Sequence, residues 1–459
     1  MKKTSCFVCL MVFLAFMSAC KGRSGKAVEE KSEEIEFHEI DLSKDFTGST
    51  CDNLLLSDIV EDVEYVQLET TDECLIDNFA SYTITDKGIY VLNKKYTKEE
   101  VFRFDRVTGK FIKQIGHTGQ GPQDMLHPSY LYAEDSLLYI SSNVTDKVYV
   151  YDNNGKYIRT VPLPEETFGE EIAVIKDKYI ICHPGKKIRT DANDNMESFL
   201  SRYISVAILD MDGKELFLQN DTLQGAGLPD ISLDWNPKRW YHNNQLNYYN
   251  EVDATVYAVN ENGIKPRYKF NLGKNRWIVA GKAAKKHMEY IKFHYIRETN
   301  DYLFIYWNQN QKPYFAYFDK KSGNLDVQEQ KVYKKGRFWH LLAYGPQNDI
   351  DGCGNYFGPG NGAGNILGSI VFVITPDNID RVREDLGKAE NVKFPEKRQQ
   401  LLKMLDERKE DDNPILVIYK LRNNPNEENH HLFIVDFAPD VYLFPIGSRN
   451  PLIRQGLRL

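Results

Sequence analysis

VYVYDNNGK, running from Val148 to Lys156, carries the pattern that decides the fold. A short run of strand-forming residues ends at Asp152, two amides follow, and Gly155 comes next. Residues of this kind alternate between the two faces of a strand. Asp can cap the following turn with its own side chain, and Gly accepts the positive φ such a turn needs. The unit recurs as VFRFDRVTGK from Val101, VAILDMDGK from Val206, VYAVNENG from Val256 and FAYFDKKSG from Phe315. Its turn positions Asp105, Asp152, Asp210, Asn260 and Asp319 are 47, 58, 50 and 59 residues apart. Each hairpin follows a further strand: IYVLN from Ile89, LYISS from Leu138, YIICH from Tyr179, LNYYN from Leu246 and YLFIYW from Tyr302.

A repeated unit of several short strands, about 45–60 residues long, predicts a propeller blade. A sandwich would hold similar strands but needs no recurring signature. Later strands, SIVFVITP from Ser369, NPILVIYKL from Asn413 and HLFIVDF from His431, supply a sixth blade. The earlier VEYVQLET from Val63 completes it, so that no sheet edge is left bare. The expected fold is all-β, a six-bladed β-propeller over residues 53–459. Between Asn378 and Asp411 the strand pattern breaks. There Val382, Leu386, Leu401, Leu402 and Leu405 have helical spacing, which predicts two amphipathic helices inserted in the last blade and broken near Pro395. They read as a cap over the sheet, with partner docking as the alternative.

The stretch GHTGQGPQDMLHPSYLYAEDSLLYISSNVTDKVYVYDNNGKYIRTV, from Gly116, resembles an NHL-type propeller repeat. LSDIVEDVEYVQLETTDECLI from Leu56, the GQGP turn and DDNPILVIYKL from Asp411 extend the likeness. From about Leu56 to Arg422 the chain is similar to six-bladed β-propeller lipoproteins of Bacteroides-like bacteria. That resemblance implies the fold and leaves the function open.

The address is written at the start. Lys2 and Lys3 precede an apolar run from Phe7 to Met17, too short to span a bilayer. Ser18 and Ala19 lead into Cys20, the layout of a lipoprotein signal peptide over residues 1–19. Cys20 is the expected lipid anchor to the membrane, and 20–52 the expected flexible tether. No Asp follows Cys20, which favours the outer membrane. Of the remaining cysteines, Cys51 and Cys74 lie close enough in sequence to pair, and Cys182 and Cys353 complete the set.

Composition excludes several functions. The 459 residues hold 58 Lys and Arg against 66 Asp and Glu, a net charge of −8, which argues against nucleic acid. A mean hydropathy of −0.51 excludes a polytopic membrane protein. No phosphate-binding loop, HExxH or GxSxG motif is present. No cofactor is called for. Asp349, Asp351 and Asn355 are spaced faintly like a calcium loop, but the closing Glu is missing; the glycine-rich stretch from Asp349 to Gly364 reads as a loop over one ring face. No metal site is expected.

The preferred binding candidate is LDWNPKRWYHNNQLNYY from Leu233. Trp235, Trp240 and Tyr241 could stack on sugar rings, and Arg239 could hold a carboxylate. Packing of large aromatics between blades is the alternative. His117 and His127, flanking the GQGP turn, join the candidate set. The expected role is a lipid-anchored envelope protein binding a glycan or a protein partner. A hydrolase or lyase at the channel mouth and a structural assembly component are the competing classes.

Overall fold

A computed structural model describes residues 36–422 and the strand Phe433–Val435. Breaks fall at 165–170, 184–198, 226–238, 284–288 and 355–364, with shorter ones of one to three residues elsewhere. The expected signal peptide, Cys20 and Trp235 therefore lie outside the described residues, as do the side chains of Tyr241, Cys51 and Cys182. The chain divides at Glu36, and the body is Phe37–Leu459.

The body is a β-propeller built mostly of strands. Five blades, not six, carry the repeated unit, each an antiparallel meander of four consecutive strands. Blade I runs Ser81–Ile84, Ile89–Lys95, Lys98–Phe104 and Phe111–Gln114. Blade II runs Pro128–Glu134, Leu137–Ser142, Lys147–Asp152 and Tyr157–Pro162. Blade III runs Glu171–Ile175, Tyr179–His183, Phe199–Asp210 and Glu215–Gly225. Blade IV runs Arg239–His242, Gln245–Asn250, Thr255–Asn260 and Gly263–Asn271. Blade V runs Lys292–Glu298, Tyr302–Gln309, Lys312–Asp319 and Leu325–Glu329.

The last sheet is not a copy of this unit. Both ends of the chain make it, in the order Val60–Gln67, Ile415–Leu421, Ser369–Ile374 and Asn365–Ile366. Its side chains pack with blade V on one face and blade I on the other. Phe433–Val435, expected here, instead pairs with Ser81–Ile84 of blade I. Two helices, Ile379–Lys388 and Pro395–Glu407, stand between Ser369–Ile374 and Ile415–Leu421. Pro395 opens the second, where its missing N–H costs nothing. Val382, Leu386, Leu401 and Leu405 are fully buried against the sheet beneath.

Turn chemistry fixes the hairpins. Asp152 Oδ1 accepts the N–H groups of Asn154 and Lys156 at 2.9 and 2.8 Å, and Asp210 repeats this with Asp212 and Lys214 at 3.0 and 2.9 Å. Each turn then leans on the preceding sheet. A Cβ at Gly213, φ +84°, would lie 1.9 Å from the carbonyl oxygen of Pro162 in blade II. No other residue type fits that approach.

One expectation is corrected here. His38–Asp41 lies within the stretch read as tether, yet it is a strand, parallel to Gly263–Asn271 of blade IV. Its neighbours Ile40 and Leu42 are buried, so the body begins before residue 53. Cys74, whose pairing the sequence left open, is a buried free thiol, and its Sγ donates to the carbonyl oxygen of Glu69 at 3.2 Å.

Candidate functional site

The strand Arg239–His242 is the first of blade IV and lies at the edge of its sheet. First strands of neighbouring blades meet there, Pro128–Glu134 with Glu171–Ile175 and Arg239–His242 with Lys292–Glu298. They form the inner edge of the ring. Successive side chains of such a strand point to opposite faces, so its four residues have different fates.

Trp240 turns into the blade IV–V interface and is only 3% exposed. Its Nε1 donates to Glu298 Oε2 at 2.8 Å. A sugar has no open ring face to stack on, so Trp240 is corrected from ligand contact to inter-blade packing.

Glu298, at the end of its blade V strand, is the centre of a polar cluster. Arg267 grips it with both arms, Nη2 to Oε1 at 2.6 Å and Nη1 to Oε2 at 2.7 Å. Tyr268 OH donates to Oε1 at 2.7 Å and Lys320 Nζ to the same atom at 3.1 Å. His242 Nε2 stands 3.7 Å from Oε1 and 3.4 Å from Lys320 Nζ. A β-bulge presents the key residue. Pro266 pairs with Tyr257 and Tyr268 with Val256, leaving Arg267 unpaired and free to turn toward Glu298.

The cluster's charges follow from this geometry. Burial opposes the charge on Glu298, but His242, Arg267, Lys320 and the Trp240 bond outweigh it and bring the carboxyl down to about 2. Burial brings His242 down to about 4, against the pull of Glu298. It also lowers Lys320. At neutral pH His242 is uncharged, and the Arg267 guanidinium and the Lys320 amine face the single carboxylate of Glu298. Shifted titratable groups of this sort mark catalytic sites in general. Here both oxygens of Glu298 are taken by five donors, so it cannot serve as a base. The cluster clamps blade IV to blade V.

Asp351 gives a second answer of the same kind. It is fully buried, and its oxygens accept from Tyr65 OH at 2.6 Å, Asn348 Nδ2 at 2.8 Å, the Cys353 N–H at 3.0 Å and Tyr419 OH at 3.1 Å. Burial holds its carboxyl above the usual range in spite of these donors. The start of the glycine-rich stretch is thus a packed knot rather than an open loop. Its carboxylate faces hydrogen-bond donors, the wrong surroundings for a cation. Among the described residues no cluster of His, Cys, Asp and Glu could hold a metal ion.

Arg239 has the opposite fate from Trp240. Its guanidinium lies over the ring of Tyr130, 5.9 Å from the centroid, with Nη2 3.4 Å from the hydroxyl. Tyr130 belongs to the first strand of blade II, so the contact passes the inner edge of blade III. Tyr130 stands near the start of its strand, and Arg239, paired with Tyr248, stands three residues before His242 at the hairpin end of its own. His127 is at the same end, exposed, at φ 46°, with Nδ1 3.2 Å from Glu99 Oε1. His117 is exposed in the same connection. His117 and His127 therefore sit at the mouth where the first strand of blade II begins, and Arg239 reaches toward it through Tyr130. Tyr130 and Glu99 are additions that sequence reading missed. Tyr130 stands three residues after His127, inside an apolar strand, and nothing local sets it apart.

No curated protein matches the chain. A Bacteroides fragilis protein described as exported shares 15% identity, with a TM-score of 0.53 over 84% of this chain and all of that one. A member of the DUF4221 family from Bacteroides vulgatus shares 10% identity, with a TM-score of 0.41 over 82% of this chain and 98% of that one. The first likeness supports the propeller fold. The model of a domain of unknown function, DUF4934, matches residues 37–420, and the chain belongs to that family.

Proposed function

We propose that this protein is an exported propeller, lipid-anchored through Cys20 to the outer membrane, that binds a carboxylate-bearing glycan of the cell envelope at the mouth marked by Arg239. Its repeats belong to the NHL-like type in this reading. One observation carries the binding role: a guanidinium held over the ring of Tyr130 at the inner edge of the ring of blades. Arginine forks suit carboxylates, and aromatic side chains suit sugar faces. The two buried carboxylate clusters are spent on the fold, which favours a binding module over a hydrolase or lyase.

A thermal-shift screen of acidic and neutral envelope glycans tests the role, since a ligand that binds only the folded state raises Tm. An acidic glycan is expected to raise the Tm of the native chain and not that of Arg239→Ala. An equal rise in the variant, or a preference for neutral glycans, removes the assignment. The anchor is tested by acyl-chain labelling of cells. Label is expected on the native chain and absent from Cys20→Ser.

A further inference from the structure

Of the seven large apolar side chains exposed among the described residues, three follow one rule. Phe37, Val107, Ile112, Ile158 and Leu216 are 52, 79, 44, 46 and 46% exposed. Ile112, Ile158 and Leu216 each stand three residues after the turn glycine, Gly109, Gly155 and Gly213, of blades I, II and III. Each is also the extra residue of a β-bulge. Phe111 and Lys113 pair with Phe104 and Arg103, leaving Ile112 out. Tyr157 and Arg159 pair with Tyr151 and Val150, leaving Ile158 out. Glu215 and Phe217 pair with Leu209 and Ile208, leaving Leu216 out. Bulges re-aim side chains, and here they turn an aliphatic group outward three times in succession. Val107 lies in the blade I turn itself. These residues mark the turn end of the ring, opposite the Arg239 mouth.

The course of the chain links this end to the membrane. His38–Asp41 runs parallel to Gly263–Asn271, which itself starts at the blade IV turn. The N-terminal strand therefore runs away from the turn end, starting beside Tyr268, with Phe37 exposed just before it. Residues 21–36 can span about 50 Å when extended. Exposed apolar side chains concentrated on one part of a soluble fold call for a covering surface.

We infer that the turn end of the propeller rests on the bilayer interface, with Ile112, Ile158 and Leu216 entering the headgroup layer and the Arg239 mouth facing away. The inference rests on the lipid-anchor reading. Lys110, Lys156 and Lys214 beside the aliphatic residues alternate with Asp212 and Glu215, so apolar entry rather than lipid charge leads the contact.

Brominated-lipid quenching of tryptophan tests it on the full acylated chain in phosphatidylethanolamine–phosphatidylglycerol vesicles. Ile158→Trp is compared with Val144→Trp, which places the probe at the opposite end of blade II, each after subtracting the native emission. Ile158→Trp is expected to lose at least twice as much emission as Val144→Trp. Equal quenching overturns the inference. Should labelling show no acyl group on Cys20, the anchor alone has failed, and the rim is read by flotation of Cys20→Ser with the same vesicles. Flotation is then expected, with a tenfold loss in I112S/I158S/L216S; no flotation, or equal flotation of the triple variant, overturns it.

Discussion

Arg267 and Glu298 form a two-pronged ion pair, at 2.6 and 2.7 Å, that ties the outer strand of blade IV to the inner strand of blade V. Glu298 is fully buried while Arg267 keeps slight exposure, 0% against 15% by side chain. Removing one partner of a buried pair strands the other. Arg267→Met is expected to cost about 3–5 kcal/mol. Trp240→Phe, which deletes only one donor to the same carboxylate, is expected to cost about 1–2 kcal/mol. Urea unfolding of the two variants measures both. A loss below 1 kcal/mol in Arg267→Met would show that the clamp adds nothing to the ring.

The same cluster sets a pH dependence. His242 has a folded value of about 4 against 6.5 for the free side chain, so folding disfavours its protonation. Its stabilising effect is complete above pH 6.5 and is lost as pH falls toward 4. A shift of this size corresponds to about 3 kcal/mol. Glu298 also falls below its ordinary value, to about 2 against 4.5, so it adds a loss only below pH 4.5. Between pH 6.5 and 4.5 the His242 part is therefore read as the difference between the native and His242→Gln slopes. His242→Gln is expected to flatten that part of the stability–pH curve, measured by unfolding at each pH. An unchanged slope would place the titration elsewhere.

Local chemistry made the repeat readable. Asp152, Asp210 and Gly213 declare their turns within a few residues, and the body follows from them. What the sequence hid is non-local. The last sheet does join Val60–Gln67 to Ile415–Leu421, the closure expected of VEYVQLET, but Phe433–Val435, expected beside them, pairs across the chain with Ser81–Ile84 instead. His38–Asp41 has too few apolar residues to stand out from a tether, and only its partner strand makes it one. Trp240 looked available because its partner Glu298 lies 58 residues away and belongs to another blade. Bulges leave no mark in composition, so neither Arg267 nor the exposed Ile112, Ile158 and Leu216 could be singled out.

Asp351 separates charge from hydrogen bonding. Asp351→Ala removes the acceptor for Tyr65, Tyr419, Asn348 and the Cys353 N–H and leaves buried donors unmet. The expected cost is about 3 kcal/mol or more. Asn keeps one oxygen for Asn348 and Cys353 and can donate to a tyrosine hydroxyl, so Asp351→Asn is expected to cost about 1 kcal/mol or less. The folded carboxyl lies above its ordinary value, so its contribution is complete at low pH and is lost as pH rises through the folded value. Asn carries no such loss, and the two unfolding curves are expected to draw together with rising pH. A large cost for Asn at neutral pH would show that the charge itself is required.

Gly213 and Gly323 both close a hairpin turn but differ in their neighbours. Both have positive φ, +84° and +74°. A Cβ at Gly323 meets nothing within 4 Å, whereas one at Gly213 would meet the Pro162 carbonyl at 1.9 Å. Left-handed backbone costs an ordinary residue about 1–2 kcal/mol, and Gly323→Ala is expected to show that strain alone. Gly213→Ala adds a backbone clash that no side-chain motion relieves. Blade III must then draw back from blade II, opening packed apolar surface between them. An additional cost of about 2 kcal/mol or more is expected, together with faster amide exchange along Tyr157–Pro162 that Gly323→Ala does not cause. Equal costs for the two variants would mean that the turns do not set the spacing between blades.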